Sequence, residues 1–456
     1  MISVLVSRFV LTVIGCGLLV APLSGGSAAF LGFLVSGLGL SLLYLLVLTG
    51  LSLSKVLSLS LLLASLGFLR AFHTIWRSQR LSESWSKPLL KASIGWLLPI
   101  AVAIMYLGVT IGMPLDPVAW DARSIFFFHS KMIYFNGALN GSIEWLTQPI
   151  GWSHPAYPKL AASLGALIAQ SVGYWNESLP KLSLLLILLP IFYGLAAFFE
   201  WSLRYFLLIP TLVLCVAGWW LWNGYMDGFV ALFAAIGLLF LIEIQRDFRP
   251  EKFLAVLLSG ALAAECKNEG MLISALFLAL LSLTLRPLFS SIRWYDLKKY
   301  SSIALGLFIA LAPVVIWWRV RKVWGLGNDL SFGPSGVSVA WERFKDPNST
   351  LMILKALFWD RYYFTFFVVL ILGYLPLAAA HSQRHVWKLQ KTIGIFFLGY
   401  LAVIYWIFLT TYWLLENHLS LAADRVALVF WATSIVSAYT FFERSLKGVG
   451  LSESSE

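Results

Sequence analysis

Long apolar runs separated by short polar breaks recur along the whole chain. They fall at 2–22, 28–50, 53–70, 93–112, 181–200, 205–221, 225–244, 252–267, 270–287, 301–319, 355–379, 392–413 and 424–442. Most approach the ~20 residues a helix needs to cross ~30 Å of hydrocarbon. A bilayer core offers backbone groups no water, so such runs must be helices. The alternating ~10-residue segments of an outer-membrane barrel are missing. The pattern predicts an all-α integral membrane protein with about 12–14 transmembrane helices. The first run has its only basic residue, Arg8, inside the apolar stretch rather than ahead of it. It reads as a retained helix, not a cleaved leader. Residues 158–173 are also apolar, but at about sixteen residues they are short for a span. Counted as one, they would invert everything downstream, so they read as a helix lying along the outer face.

Composition agrees with the pattern. Of the 456 residues, 12% are charged, about half the share of a soluble domain. The cysteines, Cys16, Cys215 and Cys266, fall in or at the ends of apolar runs. They read as small packing residues rather than a disulfide or metal set. The net charge of +11 sits largely in short loops, where it reports orientation rather than a nucleic-acid partner. Loop 70–91 holds Arg70, Arg77, Arg80, Lys87 and Lys91 against Glu83, loop 286–299 holds Arg286, Arg293, Lys298 and Lys299 against Asp296, and loop 381–391 holds Arg384, Lys388 and Lys391. The positive-inside bias makes these three cytoplasmic. Alternation then gathers 113–180, 223–227, 267–270, 320–354 and 414–423 on the other face. Parity puts Met1 outside, whereas Arg8 favours the inside, and the sequence leaves that point open. The chain divides into a three-helix extension with its cytoplasmic loop (1–92), a membrane core (93–442) and a polar cytoplasmic tail (443–456). Within the core, 113–180 and the Gly-rich 320–354 form long external loops, and a loop of the second kind is often a lid.

Candidate chemistry concentrates on that outer face. Asp116 and Asp121 follow the fourth run, and Asp121 stands between Trp120 and Arg123 at the start of an amphipathic stretch. One such acid is ordinarily a helix cap. Two in six residues, among Trp120, Phe126, Phe127 and Phe128, point to function. His154-Pro155-Ala156-Tyr157-Pro158-Lys159 is a second polar segment, although a surface histidine and a snorkelling lysine would explain it singly. Asp227, Lys267, Glu269, His418, Asp424 and Arg425 fall in the remaining external breaks. An Asp424-Arg425 pair at the start of a span is costly if idle.

These segments in this order resemble the GT-C superfamily of glycosyltransferases, and within it the family-39-like members: protein O-mannosyltransferases, aminoarabinose transferases and bacterial relatives. Trp120-Asp121-Ala122 resembles the acidic position that opens their first external loop. His154-Pro155 resembles their His-Pro-Pro-Leu segment, with Ala156 in place of the second proline. Gly224-Tyr225-Met226-Asp227, Lys267-Asn268-Glu269-Gly270, and His418 with Asp424-Arg425 are similar to their later external turns. The resemblance covers roughly residues 93–442 and leaves 1–92 as an addition.

What the resemblance implies is a GT-C-like fold with interfacial helices in the first large external loop. The implied activity is inverting transfer of a sugar from a polyprenyl-phosphate donor to a glycan, lipid or protein acceptor. It would take place in the inner (cell) membrane, on the periplasmic or exterior face. Asp121 is the first candidate for general base and Asp116 the second. A base of this kind removes the acceptor proton as the new bond forms. Arg123, Lys131, His154, Lys159, Asp227, Lys267, Glu269, His418, Asp424 and Arg425 are candidates for substrate binding. Among the cations, Lys131, Lys159, Lys267, Arg361 and Arg425 would hold the leaving phosphate. Aromatics Trp120, Trp152, Tyr157, Trp324 and Trp341 could stack on sugar faces. No cofactor is expected, although Asp116 and Asp121 could hold a divalent cation. A lipid-linked-saccharide ligase or polymerase, or a polytopic transporter, is the competing reading. The first leaves the Asp loop and His-Pro segment unexplained, and the second expects repeats or broken helices with midplane charges.

Overall fold

The computed structural model describes residues 2–23, 27–79, 120–140, 145, 147–199, 220–221, 223–289, 297–327, 334–359, 371, 374, 383–411 and 413–453. Every described element is helical: α1 (Ile2–Val20), α2 (Ala28–Leu48), α3 (Leu53–Gln79), α4 (Phe127–Asn136), α5 (Leu160–Val172), α6 (Leu182–Phe199), α7 (Asp227–Ile244), α8 (Pro250–Cys266), α9 (Asn268–Phe289), α10 (Leu297–Val323), α11 (Pro334–Lys345), α12 (Pro347–Phe358), α13 (Gln383–Thr410) and α14 (Leu415–Glu453). Seven helices among the described residues are long and apolar enough to cross a membrane, which fits a multi-pass membrane protein. The predicted spans at 93–112, 205–221 and 355–379 lie largely outside the described residues.

The middle of the bundle is α7, whose residues are almost all buried, flanked by α6, α8 and α14. Between lipid-facing helices the hydrophobic effect offers no driving force, so close approach of backbones does the packing. In the N-terminal trio α1 runs parallel to α3 and antiparallel to α2. A Cβ on Gly39 would stand 2.0 Å from the Val13 carbonyl oxygen, and one on Gly67 1.8 Å from that of Gly15. Arg70 donates to the carbonyls of Leu18, Leu19 and Ala21 at one end of this trio. At the other end the Leu53 N–H binds the Gly137 carbonyl. That second end also holds α4, the start of α7, the α8–α9 turn, the last turn of α10 and the start of α14.

Two regions differ from the sequence reading. Residues 158–173 do form a helix too short to span, but α5 is enclosed by α4, α2, α3 and α6, and Leu160 through Ala169 are buried. The helix is wedged into the bundle rather than laid along an open face. The long loop at 320–354 is mostly helical. Asp346 accepts from the Asn348 and Ser349 N–H groups, and Pro347 follows at the first helical position, so α12 has a strong start. Trp341, Phe344 and Leu351 leave an exposed apolar edge on α11 and α12, which suits the headgroup boundary of a bilayer. The expected external break at 414–423 is likewise the first turns of α14.

Candidate functional site

The first segment of the site begins at Trp120, passes through a π-helical stretch at Ala122–Phe126 and continues as α4. Such stretches are rare and are found frequently at functional sites. Asp121 makes no cap hydrogen bond there. Its carboxylate instead pairs with the Arg425 guanidinium on α14. Arg425 also donates to Asp227 Oδ2 at 3.1 Å, and Lys267 Nζ donates to Asp227 Oδ1 at 2.7 Å. Glu269 Oε1 lies 3.1 Å from the same ammonium. The chain Asp121–Arg425–Asp227–Lys267–Glu269 thus ties four separate stretches of sequence into one buried ionic network. The Tyr225 ring packs 5.0 Å from the Arg425 guanidinium and the Tyr157 ring 5.9 Å from Lys267 Nζ, close enough for cation–π attraction.

Two glycines make this geometry possible. Gly224 takes φ +90°, a left-handed conformation, and a Cβ there would come within 2.5 Å of the Phe127 ring. Gly270 lets the α8–α9 turn close, because a Cβ would stand 1.9 Å from the Ala263 carbonyl oxygen. Lys267 sits between these helices in extended conformation. Burial and the Arg425 charge push its ammonium down, but Asp227, Glu269 and Asp121 outweigh them and raise its pKa above the ordinary lysine value. Lys267 is therefore a fixed cation.

One flank of the network opens into a cavity of about 90 Å³, whose walls include Tyr157, Asn268, Glu269, Thr411, Trp413 and His418. Two buried polar atoms of wall residues have no hydrogen-bond partner among the described residues: Glu269 Oε2 and His418 Nδ1. Arg321 at the end of α10 donates to Asn268 Oδ1 at 3.3 Å, bringing a third cation to the rim. Ionised groups at a membrane end are expensive to bury without a task, and here they border an opening with unused hydrogen-bonding capacity.

The structure brings together Asp121, Asp227, Lys267, Glu269, His418 and Arg425 from the sequence-derived set. It separates others from them. Lys159 Nζ is fully buried and donates to the Pro155 and Tyr157 carbonyls, both at 2.8 Å, and lies 3.0 Å from His129 Nδ1. Its donors are spent inside the protein, so its place is the bend rather than the cavity. From the His-Pro segment it is Tyr157 that reaches the cavity, while His154 stacks on Tyr157 with φ +52°. Lys131 pairs with Glu177 at 2.8 Å and Arg123 is exposed. Asp424 precedes Arg425 on α14, half-buried. Asp116 and Arg361 lie outside the described residues, and so does half of the suggested cation pair Asp116/Asp121. Among the described residues no group of three or more His, Cys, Asp or Glu side chains is placed to hold a metal ion.

Sequence reasoning passed over Asn268, Trp413, Tyr225 and Arg321. Asn268 and Tyr225 sit inside two of the turns already singled out, so their motifs carried the signal. Trp413 and Arg321 are ordinary interfacial residues by pattern, and only the fold distinguishes them. No family model matches this sequence, and no curated protein or solved structure matches it either.

Proposed function

We propose that the protein is a membrane glycosyltransferase that moves a sugar from a polyprenyl-phosphate donor to an acceptor at the non-cytoplasmic face of the cell membrane, with inversion. One observation supports the reading: the network holding Arg425 and Lys267 adjoins a cavity lined by Glu269 and His418, each of which has a buried polar atom with no partner among the described residues. Transfer from a lipid phosphate needs a cation beside the departing phosphate and a carboxylate beside the incoming hydroxyl. Glu269 stands in the cavity wall, Lys267 and Arg425 lie behind it in the same ionic network, and Tyr157 and Trp413 offer walls for a sugar ring. In this reading Arg425 and Lys267 hold the phosphate, and Asp121 or Asp116 was the base suggested by sequence. A lipid headgroup would enter between helices at the level where α11 and α12 expose their aromatic edge.

The test is a transfer assay on purified protein in detergent, using a panel of radiolabelled polyprenyl-phosphate sugars with cell-envelope extract as the source of acceptor. The expected result is release of polyprenyl phosphate and label in the acceptor fraction. Arg425→Gln is expected to slow it by ~100-fold or more, as loss of a charge-stabilising group does. Binding of a lipid-linked oligosaccharide without turnover of any donor would overturn the reading in favour of a transporter or ligase.

A further inference from the structure

We infer that Glu269, rather than Asp121, is the carboxylate that takes the acceptor proton, and that Asp121 acts by positioning Arg425. The inference rests on the sugar-transfer reading and deepens it. Asp121 is engaged by Arg425, and it is not among the residues that wall the cavity. It would have to leave Arg425, exposing a buried charge, before it could act. Glu269 has one oxygen on Lys267 and the other, Oε2, without a partner among the described residues, and the residue lines the cavity. Gly270 and the extended Lys267 place it there by backbone geometry, at the first turn of α9.

The step balances on these groups. The acceptor hydroxyl oxygen forms its bond to the anomeric carbon while the carbon–oxygen bond to phosphate breaks, its electron pair leaving with the phosphate. The hydroxyl proton passes to the Glu269 carboxylate. Polyprenyl phosphate departs with the extra negative charge, which Lys267 and Arg425 meet. Glu269 then returns its proton to water. His418, a further cavity residue whose Nδ1 has no partner among the described residues, would hold a second hydroxyl of the same substrate.

The experiment uses the full chain and whichever polyprenyl-phosphate sugar the wild type turns over, and compares Glu269→Gln, Glu269→Asp and Asp121→Asn. Glu269→Gln is expected to lower kcat by ~100-fold or more with donor affinity within about threefold, and to abolish the acid limb of the pH–rate profile. Glu269→Asp keeps the charge, and is expected to keep that limb at a reduced rate, which covers the case in which the amide variant does not fold. Asp121→Asn is expected to raise the donor KM by ~10-fold, because Arg425 loses its anchor, with a smaller effect on kcat. The inference is overturned if Glu269→Gln retains kcat within about threefold of wild type, or if Asp121→Asn removes the acid limb while donor affinity is unchanged. If the wild type turns over no donor at all, it is the sugar-transfer reading that fails, a result distinct from either of these.

Discussion

Two buried polar groups lie side by side at the same end of the bundle, and they are finished to different degrees. Around Lys159 the polar atoms of the lysine, His129 and Ser153 side chains are all engaged, although among the described residues the indole N–H of neighbouring Trp145 has no partner. His129 Nε2 meets Ser153 Oγ at 3.1 Å, and that hydroxyl donates to the Ile150 carbonyl at 2.7 Å. Since the serine proton is committed to Ile150, Nε2 must be the donor, and Nδ1 and Lys159 Nζ share one proton between them. The rings of Trp145 and Trp317 stand 4.9 and 5.1 Å from the same ammonium, and the Tyr44 hydroxyl accepts from the Lys159 N–H. Around Lys267 the ion pairs are as close, yet Glu269, His418 and Arg425 each leave a buried atom without a partner among the described residues. A satisfied network rigidifies, whereas a partly satisfied one is costly unless something else completes it. The comparison teaches that one lysine fastens the His-Pro bend to α2 and α4, and, on the function proposed above, the other waits for a ligand.

The sharpest way to break that comparison is to remove each lysine in turn. Lys159→Met leaves two carbonyls and an imidazole nitrogen buried without a donor, and each such group costs about 1–3 kcal/mol. The expected outcome is a protein that expresses poorly or loses most of its thermal stability in detergent, as read by size-exclusion after heating. Lys267→Met leaves Asp227 still paired with Arg425 and Glu269 next to an open cavity. Because a buried ion pair loses one partner, this variant is expected to lower the melting midpoint too, but by less than Lys159→Met, while abolishing the proposed sugar transfer. If the two variants melt alike, the distinction between fastening and waiting fails.

How much of this was legible in the sequence follows from which physical signals are local. Apolar run length exposes helices directly, so the all-helical membrane class was readable from the pattern. Asp227, Lys267, Glu269, His418 and Arg425 were readable because polar residues in the breaks between spans need a reason to exist. What could not be read is the difference between Lys159 and Lys267. Both are lysines at the ends of apolar runs, and only the partners their side chains find, on helices 30 to 160 positions away, separate them. The same holds for Asp121: its position suggested a cap or a base, and it is neither capping nor open but tied to a residue 304 positions on. Helix α12 has a local start signal at Asp346-Pro347, but the glycines around Pro334 make 320–354 read as a loop.

A smaller effect comes from pH. Burial first, then the Lys159 and His154 charges, hold His129 well below the ordinary histidine pKa of 6.5. The folded protein therefore refuses a proton that the unfolded chain accepts once the pH drops below ~6.5. Stability from this residue is constant above that pH and falls beneath it, by up to ~1.4 kcal/mol per pH unit. Melting midpoints measured from pH 7.5 to 5.0 are expected to decline, and His129→Gln to remove part of the slope even though its midpoint at pH 7.5 is lower. An unchanged slope in the variant would mean that the proton uptake belongs to another group, and the single-proton account of the His129–Lys159 pair would be lost.

The smallest expected effect tests whether the cavity has a movable wall. Arg343 on α11 donates to the carbonyls of Phe408, Leu409 and Thr411 at 3.0, 3.2 and 2.7 Å, and to that of Trp413 at 2.9 Å. A cation there satisfies carbonyls left over at the C-terminus of α13 and suits its dipole, worth about 1 kcal/mol at a partly exposed site. Thr411 and Trp413 are cavity walls, so the bond couples the exposed pair α11–α12 to the opening beside Glu269. Arg343→Ala is expected to leave the global melting midpoint nearly unchanged but to speed amide exchange in 334–345 by about fivefold, the ratio that ~1 kcal/mol gives locally. If exchange there does not change, α11 is held by its apolar contacts with α13 alone, and the cavity wall is as rigid as the knot around Lys159.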